Sequence, residues 1–186
     1  MFIQTEITPN PATLKFLPGR DVMTAGTANF TRADQAAQAP LASRLFAVDG
    51  VSGVFLGGDF VTVTKTGNLE WDTLKPVILA AIMDHFTSGQ PVVNAGATGE
   101  FLGAEEGDDD EITAQIKELI ETRVRPAVAQ DGGDIVFHAF EDGIVYLHMQ
   151  GSCSGCPSST ATLRHGIENM LRYYVPEVLE VRPVEL

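Results

Sequence analysis

The sequence predicts an α+β fold class: two small two-layer α/β-sandwich domains joined by a flexible acidic linker. Three observations carry this. Residues 1–88 and 111–186 each combine short strand-like alternation with helix-like apolar stripes. Residues 89–110 instead hold glycines at 96, 99, 103 and 107, few periodic apolar positions, and the run Glu105-Glu106-Gly107-Asp108-Asp109-Asp110. A chain of 186 residues, 44% hydrophobic, supplies enough apolar surface for two separate cores.

The first domain, 1–88, opens with apolar and polar residues alternating from Phe2 to Ile7, which reads as a strand. Thr8-Pro9-Asn10-Pro11 turns the chain into a second short strand around Leu14 to Leu17, closed by Pro18-Gly19. Asp21 to Gln38 is rich in Ala, Thr and Gln with weak periodicity and reads as loop. Pro40 then opens a short helix with Leu41, Leu45 and Val48 on one face, ended by Asp49-Gly50. Ser52–Leu56 and Phe60–Thr64 flank Gly57-Gly58-Asp59 as a hairpin whose glycines are expected to supply positive φ. Asp72 is the expected N-cap of a helix reaching about Phe86. Its inward face is Leu74, Ile78, Ile82 and Phe86, and Pro76 falls within the tolerated first turn. His85 is isolated and reads as a packing or surface residue.

The carboxylates that close the linker, 89–110, read as a solvated charge run that suits the start of the next helix rather than as a metal site. In the second domain, 111–186, that helix begins near Glu111 and lines up Ile112, Ile116, Leu119, Ile120 and Val124; Pro126 is expected to interrupt it. Gln130-Asp131-Gly132-Gly133-Asp134 reads as a helix end and turn, not as a functional pair of carboxylates. Ile135–Phe140 and Ile144–Met149 form a hairpin around Glu141-Asp142-Gly143. After Pro157 a helix carries Leu163, Ile167, Met170, Leu171 and Tyr174 on its apolar stripe and stops before Pro176. Val178 to Val184 then returns by a right-handed crossover as a strand parallel to one hairpin strand.

The formal net charge of -13 argues against a nucleic-acid partner, because a phosphate backbone is held by a basic surface. No apolar run approaches the roughly 20 residues that span a bilayer, and the start MFIQTEITPN lacks the features of a signal or transit peptide. A soluble protein without a membrane partner is expected. Two closely spaced cysteines make a poor disulfide framework, so the expected compartment is the reducing cytoplasm, or an organelle matrix if a transit peptide has been removed.

The chemistry concentrates in those two cysteines, Cys153 and Cys156, in a loop between a strand and a helix. Gly151 and Gly155 allow the backbone to turn beside the sulfurs, and Pro157 suits the first helical turn. The positive end of the helix dipole would favour thiolate at Cys156. Cys-x-x-Cys alone is shared by thiol-disulfide oxidoreductases, zinc sites and iron-sulfur proteins. A thioredoxin-type pair belongs to a parallel βαβ pattern, whereas here the preceding strand is the second arm of a hairpin, and Ser152 stands where such pairs often carry an aromatic. Structural zinc and cubane iron-sulfur clusters each take four ligands, and the motif holds two. His138 and His148 on the hairpin and His165 on the helix do not converge readily on the pair, since His165 lies more than two turns from Cys156. Two chains about a two-fold axis would bring four thiolates together, enough for one [4Fe-4S] cluster. A dithiol oxidoreductase with Cys153 as nucleophile and Cys156 as resolving thiol, and an adaptor that clamps zinc between two chains, stay open as alternatives. Ser152, Ser154 and Ser158 read equally as hydrogen-bond donors to a cluster or as ordinary turn and cap residues, and Arg123, Arg125 and Arg164 as solvated cations.

Arg125-Pro126, Asp131-Gly132-Gly133-Asp134, Met149-Gln150-Gly151-Ser152-Cys153, Cys156-Pro157-Ser158-Ser159, Thr162-Leu163 and Gly166-Ile167 together closely resemble the NifU C-terminal domain family over roughly residues 111 to 184. Thr8-Pro9-Asn10-Pro11 followed by Leu14-Lys15-Phe16 is similar to the N-terminal domain of two-domain Nfu proteins. The resemblance implies an iron-sulfur cluster carrier, not an enzyme. Cys153 and Cys156 of each subunit of a homodimer would hold a [4Fe-4S] cluster, with [2Fe-2S] as the second option. An upstream scaffold would donate the cluster, and apo-enzymes such as lipoyl synthase or aconitase would receive it. The scaffold and ferredoxin-like regions of full-length NifU are not seen, so no role in building clusters from cysteine-derived sulfide is expected.

Overall fold

Alternation and turn chemistry build the sheets of this computed structural model, which describes residues 2–95, 110–153 and 157–184, without the side chains of 157–160. The chain divides into two units, Met1–Leu102 and Gly103–Leu186. The central part of the expected linker, 96–109, lies outside the described residues.

In the first unit β1 (Gln4–Ile7), β2 (Thr13–Leu17), β3 (Ala28–Phe30), β4 (Val51–Leu56) and β5 (Val61–Lys65) form one antiparallel sheet in the order β1-β2-β5-β4-β3. Leu14, Phe16, Val54, Leu56, Val61 and Val63 share a core with Leu41 and Leu45 of α1 (Pro40–Phe46) and with Leu74, Ile78 and Ile82 of α2 (Trp71–Ser88). Each such side chain removed from water is worth about 1.5–3 kcal/mol.

Four expectations are corrected here. Asp21 to Gln38 is not all loop: β3 pairs with β4, setting Ala28 opposite Leu56 and Phe30 opposite Val54, and Ala33–Gln38 is a 3₁₀ helix. A three-residue strand is stabilised by its neighbour and carries no local period to detect. Gly57 and Gly58 are not among the glycines with positive φ. Gly57 is instead a matter of space, because a Cβ there would collide with the Phe60 ring. Helix α2 begins at Trp71, so Asp72 lies in its first turn rather than capping it. The Trp71 indole Nε1 donates to the Pro11 carbonyl at 3.1 Å, which fixes that start. Pro76 therefore sits inside the helix, beyond the first turn. It is exposed, which leaves the carbonyl it orphans within reach of water.

The second unit starts with α3 (Glu111–Leu119), capped by Asp110 Oδ1, which accepts the Thr113 N–H at 2.8 Å. Pro126 does not interrupt the helix as expected. A π-helical turn, Ile120–Val124, comes before it, and α4 (Arg125–Gln130) carries on with Pro126 in its first turn. The wider turn re-registers the carbonyls where proline lacks its donor. It also keeps Ile116, Ile120, Val124 and Val128, spaced by four, buried on one face.

Strands β6 (Gly133–Glu141) and β7 (Ile144–Gly151) pair antiparallel around Asp142 (φ 51°) and Gly143 (φ 78°), the two-residue turn that a right-twisted hairpin favours. Helix α5 (Pro157–Tyr174) leads to β8 (Glu180–Val184), parallel to β7, giving the order β6-β7-β8. Ile167 and Leu171 of α5 join Ile135, Val145, Leu147 and Val181 in the core. The stripe ends earlier than expected: Tyr174 is exposed, with the Arg123 guanidinium 4.9 Å from its ring centre, and Val175 is buried in its place. On β8 the Val181 N–H donates to Glu168 Oε2 of α5 at 3.3 Å, and Pro183 two residues on has no N–H to offer.

Candidate metal centre

The cysteine loop is anchored at the end of the hairpin remote from its turn. Gly133 and Gly151 face each other as the last pair of the β6–β7 ladder, and Gly151 (φ 63°) turns the chain out of β7. Ser152, buried, donates its N–H to the Gly132 carbonyl at 3.3 Å and its hydroxyl to the Asp131 carbonyl. Two hydrogen bonds thus tie the residue before Cys153 to the turn after α4. Cys153 itself is only 6% exposed and belongs to the apolar core of the second unit.

The two glycines of Asp131-Gly132-Gly133-Asp134 serve different ends. Gly132 has φ 80°, the left-handed value expected after a helix. Gly133 supplies room: a Cβ there would lie 2.5 Å from Cys153 Sγ and 2.9 Å from the Gln150 carbonyl oxygen. Sequence reasoning treated both as turn residues and missed that one forms the floor beneath the thiol. A second glycine beyond the helix end, where one suffices, was the available signal.

Asp134 was also missed. It is buried and accepts a bidentate pair from Arg125, Nε at 2.9 Å and Nη2 at 2.8 Å, while its Oδ1 also accepts the Ile135 N–H at 2.8 Å. Arg125 reaches Glu121 as well, at 2.7 Å. The hydrogen bond that Arg125 donates to Asp134 is the main cause that holds its pKa above the already high ordinary value. Arg125 is therefore an ion-paired side chain and not the solvated cation expected, whereas Arg123 is exposed as expected and lies against the Tyr174 ring.

Cys156, with Ser154 and Gly155, lies outside the described residues, as do the side chains of Pro157 and Ser158. Helix α5 begins at Pro157, directly after Cys156 in the chain. His138 is exposed at a bulge in β6, His148 Nδ1 lies 3.3 Å from the Val184 carbonyl oxygen, and His165 is exposed on α5. Among the described residues no three His, Cys, Asp or Glu side chains gather as a metal-binding group. His85 in the first unit is fully buried, and neither ring nitrogen has a hydrogen-bond partner. Burial, then the nearby Arg44 charge, lowers its pKa. No helix among the described residues is long and apolar enough to cross a membrane.

The topology bears on the redox alternative. The strand before the cysteines is the second arm of a hairpin, as expected, yet β7, α5 and β8 also make a parallel strand–helix–strand crossover. The hairpin does not by itself separate this loop from a thioredoxin-type one.

Residues 3–89 match the family described as Scaffold protein Nfu/NifU N terminal, and residues 116–182 match the NifU-like domain. The Homo sapiens protein named "NFU1 iron-sulfur cluster scaffold homolog, mitochondrial" is 52% identical over 185 residues, 99% of this chain and 72% of that protein. The Arabidopsis thaliana protein named "NifU-like protein 5, mitochondrial" is 55% identical over 181 residues, 96% of this chain and 66% of that protein. A solution NMR structure of a NifU-like protein from Saccharomyces cerevisiae aligns with a TM-score of 0.46 and 25% identity, covering 51% of this chain and 86% of that one. The chain spans about two thirds of the plant relative. With both domain families matched in order and half of its residues shared with a relative it covers to 72%, the chain belongs to the Nfu/NifU-like family.

Proposed function

We propose that this protein is an iron-sulfur cluster carrier in which Cys153 and Cys156 of two chains together hold one [4Fe-4S] cluster as cargo and release it to apo-proteins. The observation that carries the reading is the ligand count. One chain offers two thiols, four ligands are needed, and no other metal-binding group gathers among the described residues. Soft thiolate sulfur suits iron and sulfide. A cluster shared between chains can pass to an acceptor by stepwise exchange of one thiolate for another, with no change in the cluster's redox state. The names of the relatives support the scaffold role, and the word mitochondrial in them favours the organelle-matrix alternative over the cytoplasm.

In this reading residues 111–186 carry the cluster, 1–88 form the Nfu N-terminal-like domain and 89–110 connect them. An upstream scaffold is the donor, and neither catalysis nor membrane or nucleic-acid binding is part of the role. The test is anaerobic loading with iron and sulfide, then transfer to an apo iron-sulfur enzyme followed by recovery of that enzyme's activity. Loading and transfer are expected in the parent chain and absent in Cys153→Ser and Cys156→Ser. A chain that takes up zinc or no metal, or one whose serine variants still load fully, would overturn the proposal. The strand–helix–strand setting of the loop keeps the dithiol oxidoreductase as a second reading, for which insulin reduction by the metal-free chain is the assay.

A further inference from the structure

A thiol that is to bind iron between two chains has to be reachable from outside its own chain, yet Cys153 is 6% exposed and grouped with the core side chains. Gly133 and Ser152 both help to keep it there. Gly133 leaves the space, since any Cβ at that position would stand 2.5 Å from the sulfur. Ser152 supplies the fastening, through its N–H to the Gly132 carbonyl and its hydroxyl to the Asp131 carbonyl. Both partners of Ser152 lie in the turn that leads into Gly133, so floor and fastening belong to one piece of backbone. Beneath it, Asp134 is locked to Arg125, which fixes the start of β6.

We infer that Ser152 and Gly133 are positioning residues that park the Cys153 thiol inside the unloaded chain, and that the Ser152 fastening must open before this thiol meets iron. The inference rests on the cluster-carrier reading for its purpose but not for its test. On loading, the exposed thiol loses its proton to solvent or to the departing ligand, and its sulfur replaces that ligand on iron. No electron changes hands. A parked thiol is also shielded from oxidation while the chain waits for cargo, because susceptibility follows exposure.

The test uses the full metal-free chain carrying Cys156→Ser, so that Cys153 is the single thiol, and follows alkylation by iodoacetamide with mass spectrometry. In the folded chain Cys153 should react at least about ten-fold more slowly than in the same chain unfolded in urea, because reaction waits for local opening. Ser152→Ala, which deletes the hydroxyl's hydrogen bond, should raise the folded-state rate about three- to ten-fold, the worth of one neutral hydrogen bond. Ser152→Thr, which keeps the hydroxyl, should restore the slow rate, an outcome that a general loosening of the loop would not give. Equal rates in folded and unfolded chain would overturn the inference without any loop variant, and so would a Ser152→Ala rate matching its parent or a failure of Ser152→Thr to restore it. None of these readings involves iron, so they stand apart from the loading experiment: a chain that parks its thiol but binds no cluster would sink only the carrier reading.

Discussion

Replacing Arg125 by alanine tests the frame on which the cysteine loop stands. Asp134 has a side chain only 4% exposed and would lose both guanidinium bonds while still accepting the Ile135 N–H. Removing one partner of a buried ion pair costs about 3–5 kcal/mol. Arg125 itself is 28% exposed, so water can reach part of the vacated space, which points to the lower end, about 3 kcal/mol. For a domain of this size that corresponds to a fall in melting temperature of roughly 12–24 °C. The assay is hydrogen exchange of the β6 and β7 amides together with calorimetry of the full chain. Glu121→Ala is the internal comparison, because Glu121 is 65% exposed and its ion pair should contribute no more than about 1 kcal/mol. Converting the pair to Arg125→Met with Asp134→Leu should recover much of the loss, since no buried charge is then stranded. If Arg125→Ala proves no more damaging than Glu121→Ala, the argument that this pair fixes the start of β6 fails.

Three further outcomes are expected. Burial, then the nearby Arg44 charge, lowers the pKa of His85, so below about pH 6.5 the unfolded chain takes up a proton that the folded chain resists. Stability should therefore be full above pH 6.5 and decline as pH falls through it, by at most about 1.4 kcal/mol per pH unit. Urea midpoints across pH 5–8 should show this slope, and His85→Phe should flatten it. The Thr113 backbone hydrogen bond holds Asp110 below its ordinary pKa, so its cap on α3 is present at neutral pH and lost as pH falls through that lowered value. Circular dichroism on acid titration should show helix loss that Asp110→Ala already displays at neutral pH. Glu168→Ala uncovers the Val181 N–H on β8 and should increase concentration-dependent self-association in sedimentation runs, whereas Glu168→Gln, which keeps an acceptor, should not.

What the sequence revealed and what it hid divide along the range of the interactions involved. The hairpin, expected around Glu141-Asp142-Gly143 and turning on the last two of these, and the helix opened by Pro157 were legible because their signals are local: a glycine-bearing turn and a proline at a helix start. The position of Cys153 between strand and helix followed from them. Strand β3 was hidden because Ala28 and Phe30 are held by β4, more than twenty residues away. The continuation of the helix past Pro126 depends on a π-helical turn that no propensity announces. Asp134 and Arg125 read as polar residues near a turn, since only the fold sets one of them in the interior beside the other. Gly133 likewise looked redundant until the thiol was found against it.

The most direct test of the carrier proposal is native mass spectrometry of the anaerobically loaded chain, combined with iron and sulfide analysis. The account predicts a species of twice 20.0 kDa holding a single four-iron cluster, about two irons per chain, that falls to the 20.0 kDa monomer when Cys153 or Cys156 becomes serine. A 20.0 kDa chain holding a complete cluster by itself, or a loaded dimer that survives loss of either cysteine, would contradict it.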